Sequence, residues 1–389
     1  MKIKLKWMLF FIICALTTFG NAQNDKIELR GTILDESSNT IPYVSVGIVK
    51  KYVGVSSTED GEFSFFITKN ELQDSLSVSS LGFEPFKILV EDYLKLEKKE
   101  IVLIETSTQL DAVVLLSSID YVKKALENLR DNTLSIPHKL EMLYRRTTTE
   151  SNKPKLLVEN YIKIKDKGPG YSPGVVQVTE SRKSADYRIW KSRQWQHSIN
   201  SLFNLNPLRP HASQHKRNLK KFKWKQIGDS SFEGQDVIIV RGQNPKIDWE
   251  RITLYIGLDN YEVYRIERGR SLFIYKRHNS GKLVLSYFKN EWQIKNQNVP
   301  KEYQNTEANP TSYKTEAFVF NIDTNKKEAR KIYHFGDDTD MSLIELPYNA
   351  DFWKNLSLPP DTKFYKSIKD GLEANYGVPL ETQFELVNR

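Results

Sequence analysis

The chain has 389 residues, with 57 Lys and Arg against 49 Asp and Glu, a formal net charge of +8, and 12% aromatic residues. That length allows two or three domains with real cores, and the aromatic content with scattered Gly and Pro favours strands over a helical bundle. One cysteine excludes a disulfide framework, and the mildly basic balance argues for solubility and attraction to anionic surfaces rather than for nucleic-acid binding by itself.

The opening "MKIKLKWMLFFIICALTTFGNAQ" places Lys2, Lys4 and Lys6 before an apolar run from Trp7 to Phe19, followed by the small residues Gly20 and Ala22. This is the pattern of a secretory signal peptide, residues 1–22, cut after Ala22. The apolar run is shorter than the roughly 20 residues of a membrane-spanning helix, which makes a retained anchor the lesser alternative. Cys14 lies inside the leader and follows Ile13, whereas a lipoprotein signal needs a small residue there. Cleavage removes three lysines and no acid, leaving a cysteine-free chain of net charge +5. Export without cysteine points to a bacterial envelope, because eukaryotic secreted domains usually carry disulfides.

From Ile27 to Thr106 the apolar residues alternate in short runs: Ile27 and Leu29; Val44, Val46 and Ile48; Phe63 and Phe65; Leu76 and Val78; Phe86, Ile88 and Val90; Ile101 and Leu103. Period two means half-buried strands, and their spacing predicts a small antiparallel sandwich over about residues 26–115. In "SSTEDGEFSF", Asp60-Gly61 reads as a hairpin turn, since Gly61 tolerates positive φ. Glu59 and Asp60 have no set of oxygen ligands at calcium-loop spacing, so they are not read as a metal site.

"GTILDESSNTIPYVSVGI", "GVSSTEDGEFSF" and "SSLGFEP" together resemble the carboxypeptidase-like regulatory domain, a transthyretin-like β-sandwich common in envelope proteins of Gram-negative bacteria. Gly31, Pro42, Gly54, Gly61 and Phe63 fill the family's pattern, though Tyr43 after Pro42 is larger than the pattern prefers, and "STQLDAVVL" resembles its closing segment. The resemblance implies a fold and an envelope setting. It carries no catalytic residues, since that domain has none of its own. The module often precedes a TonB-dependent receptor barrel, but the rest of this chain cannot supply about 22 long strands and a plug.

"SSIDYVKKALENLRDNT", residues 117–133, predicts a linking helix with Ile119, Val122, Leu126 and Leu129 on one face and Ser118 as its cap. Residues 140–345 return to strand language, in "KLEMLYRRTTTE", "KLLVENYIKIK", "QDVIIVRGQ", "ERITLYIGLDNYEVYRIERGR", "KLVLSYFKNEW" and "SYKTEAFVFNID". A hairpin is expected through Asp259-Asn260, and the whole predicts a large curved antiparallel sheet, open or half-closed. "LYIGLDNYEVYRIER" resembles the envelope lipoprotein-carrier half-barrels over one hairpin. Residues 346–389 predict a short helix near Lys366 to Asn375 among exposed aromatics. This end, with Trp353 after Tyr348-x-x-x-Phe352 and a final Leu380-Glu-x-Gln-Phe384, resembles the ends of uncharacterised envelope proteins that begin with the same module.

Three stretches carry candidate chemistry. His138-x-x-Glu141 matches the spacing of two zinc ligands in carboxypeptidases, with His197, His211 and His215 downstream to complete a site. The flanking residues do not resemble that family's motif, and its catalytic domain is α/β, so His138 reads as the first residue of a strand. His211-x-x-x-His215 follows Pro207 and Pro210 and reads as a surface loop. In "HKRNLKKFKWK", the cations Lys216, Arg217, Lys220, Lys221, Lys223 and Lys225 interleave with Phe222 and Trp224. This run reads first as a solvated face, then as a site for lipid headgroups or lipopolysaccharide, and last as a nucleic-acid site. No nucleophile elbow, phosphate loop or dinucleotide fingerprint is present.

The sequence therefore predicts a mainly β exported envelope protein that uses no cofactor or metal. Its role is expected to be non-enzymatic, binding a lipid, a glycan or an outer-membrane partner. The alternative is an envelope hydrolase, most sharply a zinc carboxypeptidase-like enzyme. Neither nucleic acid nor a membrane span in the mature chain is expected.

Overall fold

The computed structural model describes residues 26–49, 51, 53–106, 116–172, 174–191, 197–210, 216–333 and 339–388. The leader therefore lies outside the described residues, as do His211 and His215.

The first unit packs two sheets. One has the order β4-β1-β7, from β1 (Ile27–Asp35), β4 (Glu62–Ile67) and β7 (Glu100–Leu103). The other has the order β3-β2-β5-β6, from β2 (Ser45–Ile48), β3 (Gly54–Ser56), β5 (Ser75–Ser79) and β6 (Phe86–Leu89). The alternating apolar residues meet between them: Leu29, Val46, Phe63, Phe65, Leu76, Val78, Ile101 and Leu103 form one buried cluster.

Three local expectations are corrected. The unit is not purely antiparallel, because β1 and β7 run parallel in the register Thr32↔Glu100 to Asp35↔Leu103. A parallel pair needs a crossover, and the chain supplies one through the second sheet. Val90 does not continue β6 but opens helix α1 (Val90–Lys95), whose first turn carries Glu91 and Asp92 against the positive helix end. The Asp60-Gly61 turn forms, with Gly61 at φ +76, but it joins strands of different sheets: β3 pairs with β2 and β4 with β1.

The expected 117–133 helix is two pieces, α2 (Ser118–Glu127) and α3 (Leu129–Asn132), broken at Asn128. Ser117, not Ser118, stands at the start, its Oγ donating to Asp120 at 2.5 Å. Tyr121, Val122, Ala125, Leu126 and Leu129 are buried.

A ten-stranded sheet follows, antiparallel throughout and not closed into a barrel. Its strands are β8 (His138–Glu150), β9 (Lys153–Asp166), β10 (Val176–Lys183), β11 (Lys223–Phe232), β12 (Gln235–Gln243), β13 (Arg251–Gly257), β14 (Val263–Arg268), β15 (Ser271–Arg277), β16 (Leu283–Gln293) and β17 (Thr311–Asp323). The order is β10-β9-β8-β17-β16-β15-β14-β13-β12-β11. Two meanders, β8 to β10 and β11 to β17, are thus joined where β17 returns to pair with β8. The hairpin at Asp259-Asn260 forms, with Asn260 Oδ1 accepting from the Glu262 N–H at 3.0 Å.

Both faces of this sheet are covered near β8. On one, Leu140, Met142, Tyr144, Ile162, Ile164 and Phe288 pack against α2, α3 and the Leu202-Phe203 pair of α4 (Asn200–Asn204). On the other, Leu143, Leu157, Tyr287 and Phe318 meet Tyr43 of the first unit and three C-terminal helices, α5 (Ala350–Asn355), α6 (Lys363–Tyr376) and α7 (Leu380–Val387). One helix was expected at this end, and exposed aromatics. Instead Trp353, Tyr365 and Phe384 are buried, because each helix turns its apolar stripe onto the sheet.

Candidate binding surface

The two acids of the Asp60-Gly61 turn point out of the first unit and into the second. Lys314 Nζ on β17 donates to both Glu59 carboxylate oxygens at 2.8 Å. Asp60 Oδ2 accepts the backbone N–H of Lys363, the first residue of α6, at 2.7 Å. A carboxylate there satisfies an orphan donor and complements the helix dipole. Ser56 Oγ donates to Ser286 Oγ on β16 at 3.1 Å. The acidic stretch is a docking clamp, and its partners lie more than 200 residues away in the chain.

Beneath the clamp runs a row of alternating charge. Arg182, Glu159, Arg145, Glu316 and Lys289 stand directly opposite one another on β10, β9, β8, β17 and β16. Arg182 grips Glu159 through Nε and NH2, both at 2.6 Å. Arg145 lies 3.8 Å from Glu159 and 3.5 Å from Glu316. Tyr287 donates its hydroxyl to Glu316. Aromatic side chains seal the row. Tyr365 lies on Arg145 with 3.4 Å from guanidinium carbon to ring centroid, Trp353 on Arg182 at 4.3 Å, and Tyr43 beside Lys289 at 5.4 Å. Burial alone would raise both carboxyls. The cations outweigh it: Arg182, Lys369 and Arg145 hold Glu159 below its ordinary range, and Arg145 and Lys314 do the same for Glu316.

The histidine candidates do not converge. His138 and Glu141, three apart on a strand, fall on opposite faces of the sheet. Buried His138 places Nδ1 2.7 Å from the Ile136 carbonyl and lies 4.0 Å from Asp166, which Arg209 clamps at 2.7 and 2.8 Å. Glu141 instead accepts from Asn321 at 2.8 Å and pairs with Lys139 at 3.0 Å. His197 stacks on Tyr144 and places Nε2 2.6 Å from Asn160 Oδ1. Among the described residues no three His, Cys, Asp or Glu side chains gather as for a metal ion.

In the basic run, Phe222 is core and Trp224 is partly buried, its Nε1 donating to the Leu219 carbonyl at 2.8 Å. Lys220, Lys221, Lys223 and Lys225 are exposed. The side chains of Lys216 and Arg217 lie outside the description.

Two packed β-sheets, joined by this turn and crossover, precede the large sheet. Residues 29–115 match the CarboxypepD_reg-like domain. No curated protein matches the chain. Solved structures similar to it include a domain provisionally assigned to outer-membrane lipoprotein sorting from Vibrio parahaemolyticus, 11% identical, covering 55% of this chain and 98% of that one, TM-score 0.27. A LolA superfamily protein from Nitrosomonas europaea is 11% identical over 54% of this chain and 94% of its own, TM-score 0.23. The MucA/MucB complex of Pseudomonas aeruginosa contains a chain 8% identical, over 53% and 98%, TM-score 0.18.

The CarboxypepD_reg-like domain and the large sheet frame two clefts that sequence reasoning missed. One, about 250 Å³, is lined by Glu59, Arg270, Trp292, Tyr313, Lys314 and Phe364. The other, about 190 Å³, faces Ser45, Ser77 and Ser79 of the domain toward Lys276 and His278. Burial pulls the Lys276 ammonium down to about 8. No local pattern marks either cleft, because each wall comes from a different unit.

Proposed function

We propose that this chain is a non-enzymatic exported envelope protein that binds a lipid, a glycan or an outer-membrane partner, with the CarboxypepD_reg-like domain as a fixed brace on the large sheet. The observation that carries this reading is the pairing of the buried acids. Glu159, Glu316 and Asp166 are held ionised below their ordinary range against Arg145, Arg182 and Arg209. Catalytic acids and bases are instead tuned toward neutrality, so these perturbed groups serve packing. Among the described residues no helix is long and apolar enough to cross a membrane. The opposite orientation of His138 and Glu141 disfavours the zinc-hydrolase reading.

Two measurements test the proposal. Cells expressing the chain with its leader are fractionated, and processed protein is expected in the envelope fraction; unprocessed protein in the cytosol overturns the export reading. Metal content of the purified protein is then determined. Stoichiometric zinc lost in His138→Ala would replace the binding reading with a hydrolase.

A further inference from the structure

The corner of the large sheet farthest from β10 is basic on its outer side. β11 is the edge strand. Its Lys223 stands opposite Gln243 of β12, which stands opposite Arg251 of β13; Lys225 likewise stands opposite Arg241, and Arg241 opposite Thr253. Directly paired residues share a face, so Lys223, Lys225, Arg241 and Arg251 form one platform. The intervening residues Trp224, Gly242 and Ile252 turn to the core side. Lys220 and Lys221 extend the platform at the turn before β11. Among the described residues none of these cations takes part in an ion pair. Two acids on the neighbouring elements are committed, Glu267 to Arg265 at 2.7 Å and Glu250 to Arg268 at 3.1 Å, and Asp248, beside Trp249, is exposed to solvent.

Trp249 stands at the same end and is 80% exposed. Its loop, between β12 and β13, is pinned from within. Gln243 Nε2 donates to the carbonyls of Ile247 at 3.2 Å and Asp248 at 2.6 Å, and Asn244 Nδ2 donates to Glu250 at 2.6 Å. A held loop that presents an indole to water forgoes the burial free energy of the largest side chain. Lysines on an edge strand blunt pairing with other sheets, which gives a structural reason for Lys223 and Lys225. That reason does not extend to Arg241 and Arg251 on inner strands, nor to Trp249.

We propose that this corner docks the protein on an anionic membrane surface, with the platform of Lys220, Lys221, Lys223, Lys225, Arg241 and Arg251 against phosphate-bearing headgroups and Trp249 in the interfacial layer. The charge complementarity and the indole are the two halves of an interfacial anchor. The inference rests on the envelope-binding reading above and narrows it to one partner class.

The test is co-sedimentation of the purified protein with vesicles of phosphatidylcholine alone or with about a third phosphatidylglycerol. Binding is expected only with phosphatidylglycerol. It should fall as salt rises from about 0.1 M to about 1 M, as the Debye length shrinks from about 10 Å to about 3 Å. Lys223→Gln, Lys225→Gln and Arg251→Gln should each weaken partitioning about fivefold, and Trp249→Ala should weaken it with the salt dependence unchanged. These are surface changes, and an unaltered melting temperature checks that the variants fold. Equal binding to both vesicles, or no loss in the variants, overturns the proposal. So does tighter binding of a single-stranded oligonucleotide than of phosphatidylglycerol vesicles at the same salt. A protein found in the envelope that ignores the vesicles sinks this surface and leaves the wider binding reading standing; a cytosolic protein sinks the wider reading.

Discussion

The ring of Tyr365 lies over the guanidinium of Arg145, 3.4 Å from its carbon to the ring centroid. One residue comes from a C-terminal helix and the other from the centre of the large sheet. Arg145 also stands between Glu159 and Glu316 in the charged row. Removing one partner of a buried ion row is far more damaging than replacing the row, because the remaining charges keep their desolvation penalty. Arg145→Met is therefore expected to destabilise by about 3–5 kcal/mol in urea unfolding. Adding Glu316→Gln to Arg145→Met should recover at least about 1 kcal/mol, since the orphaned carboxylate is gone. Additive losses in the double variant would mean that Arg145 and Glu316 are not energetically coupled.

The turn at Glu59 and Asp60 gives a second expectation. Asp60 adds to the Thr362 cap of α6 by accepting the Lys363 N–H from another unit of the chain, so Asp60→Ala should cost about 0.5–2 kcal/mol, the usual range for a lost capping contact. Asp60→Asn, which keeps an acceptor, should lose less. A double-mutant cycle of Glu59→Gln with Lys314→Met should show coupling, because Lys314 is 6% exposed and its ion pair is shielded from solvent. If protease susceptibility of the CarboxypepD_reg-like domain is unchanged in both single variants, the clamp does not hold the two units together.

The strand periodicity carried most of the fold. Leu29, Phe63, Phe65, Leu76 and Val78 are buried where alternation puts them. It failed where both faces are covered. In β8, Leu143, Arg145, Thr147 and Met142 are all buried, so the strand shows no clean polar side. A signal for the charged row was present, since Arg145, Glu159 and Glu316 each sit mid-strand in "LYRRT", "LVENY" and "KTEAF". A charge amid strand formers is costly to bury unless it is paired. The pairing itself was invisible, because register between β17 and β8 is fixed by tertiary packing. The partners of Glu59 and Asp60 were illegible for the same reason, and so was the burial of Trp353 and Phe384, which depends on where their helices dock.

Asp166 links stability to acid. Burial would raise its carboxyl, but Arg209 and the hydrogen bonds it donates pull it from 3.8 to about 2. The folded value lies below the unfolded one, so the contribution is fully present above the unfolded value and is lost as pH falls through about 2. The size is of order 2 kcal/mol. Asp166→Asn is expected to lower stability at neutral pH and to flatten the loss of stability between pH of about 4 and about 2. An unchanged acid limb in the variant would show that the Asp166–Arg209 pair does not supply it.

Lys276 works in the opposite sense. It lines the cleft between the CarboxypepD_reg-like domain and β15, and among the described residues it has no ion partner. Arg277 and Glu233 beside it are paired with each other at 2.8 Å, and His278, also in the lining, has its own ring pulled down by burial. Burial lowers the Lys276 ammonium from 10.5 to about 8. Between these values the unfolded chain holds a proton that the folded one has released. Stability must then rise with pH across that interval, and below about 8 the penalty is present in full. Lys276→Met keeps the stem and removes the charge. It is expected to raise the unfolding free energy at pH 7 by roughly 1–3 kcal/mol, with the gain shrinking as pH climbs above the folded value. Thermal melts of both proteins across that range decide it. A variant no more stable than the parent at neutral pH would show that burial of the ammonium carries no such penalty.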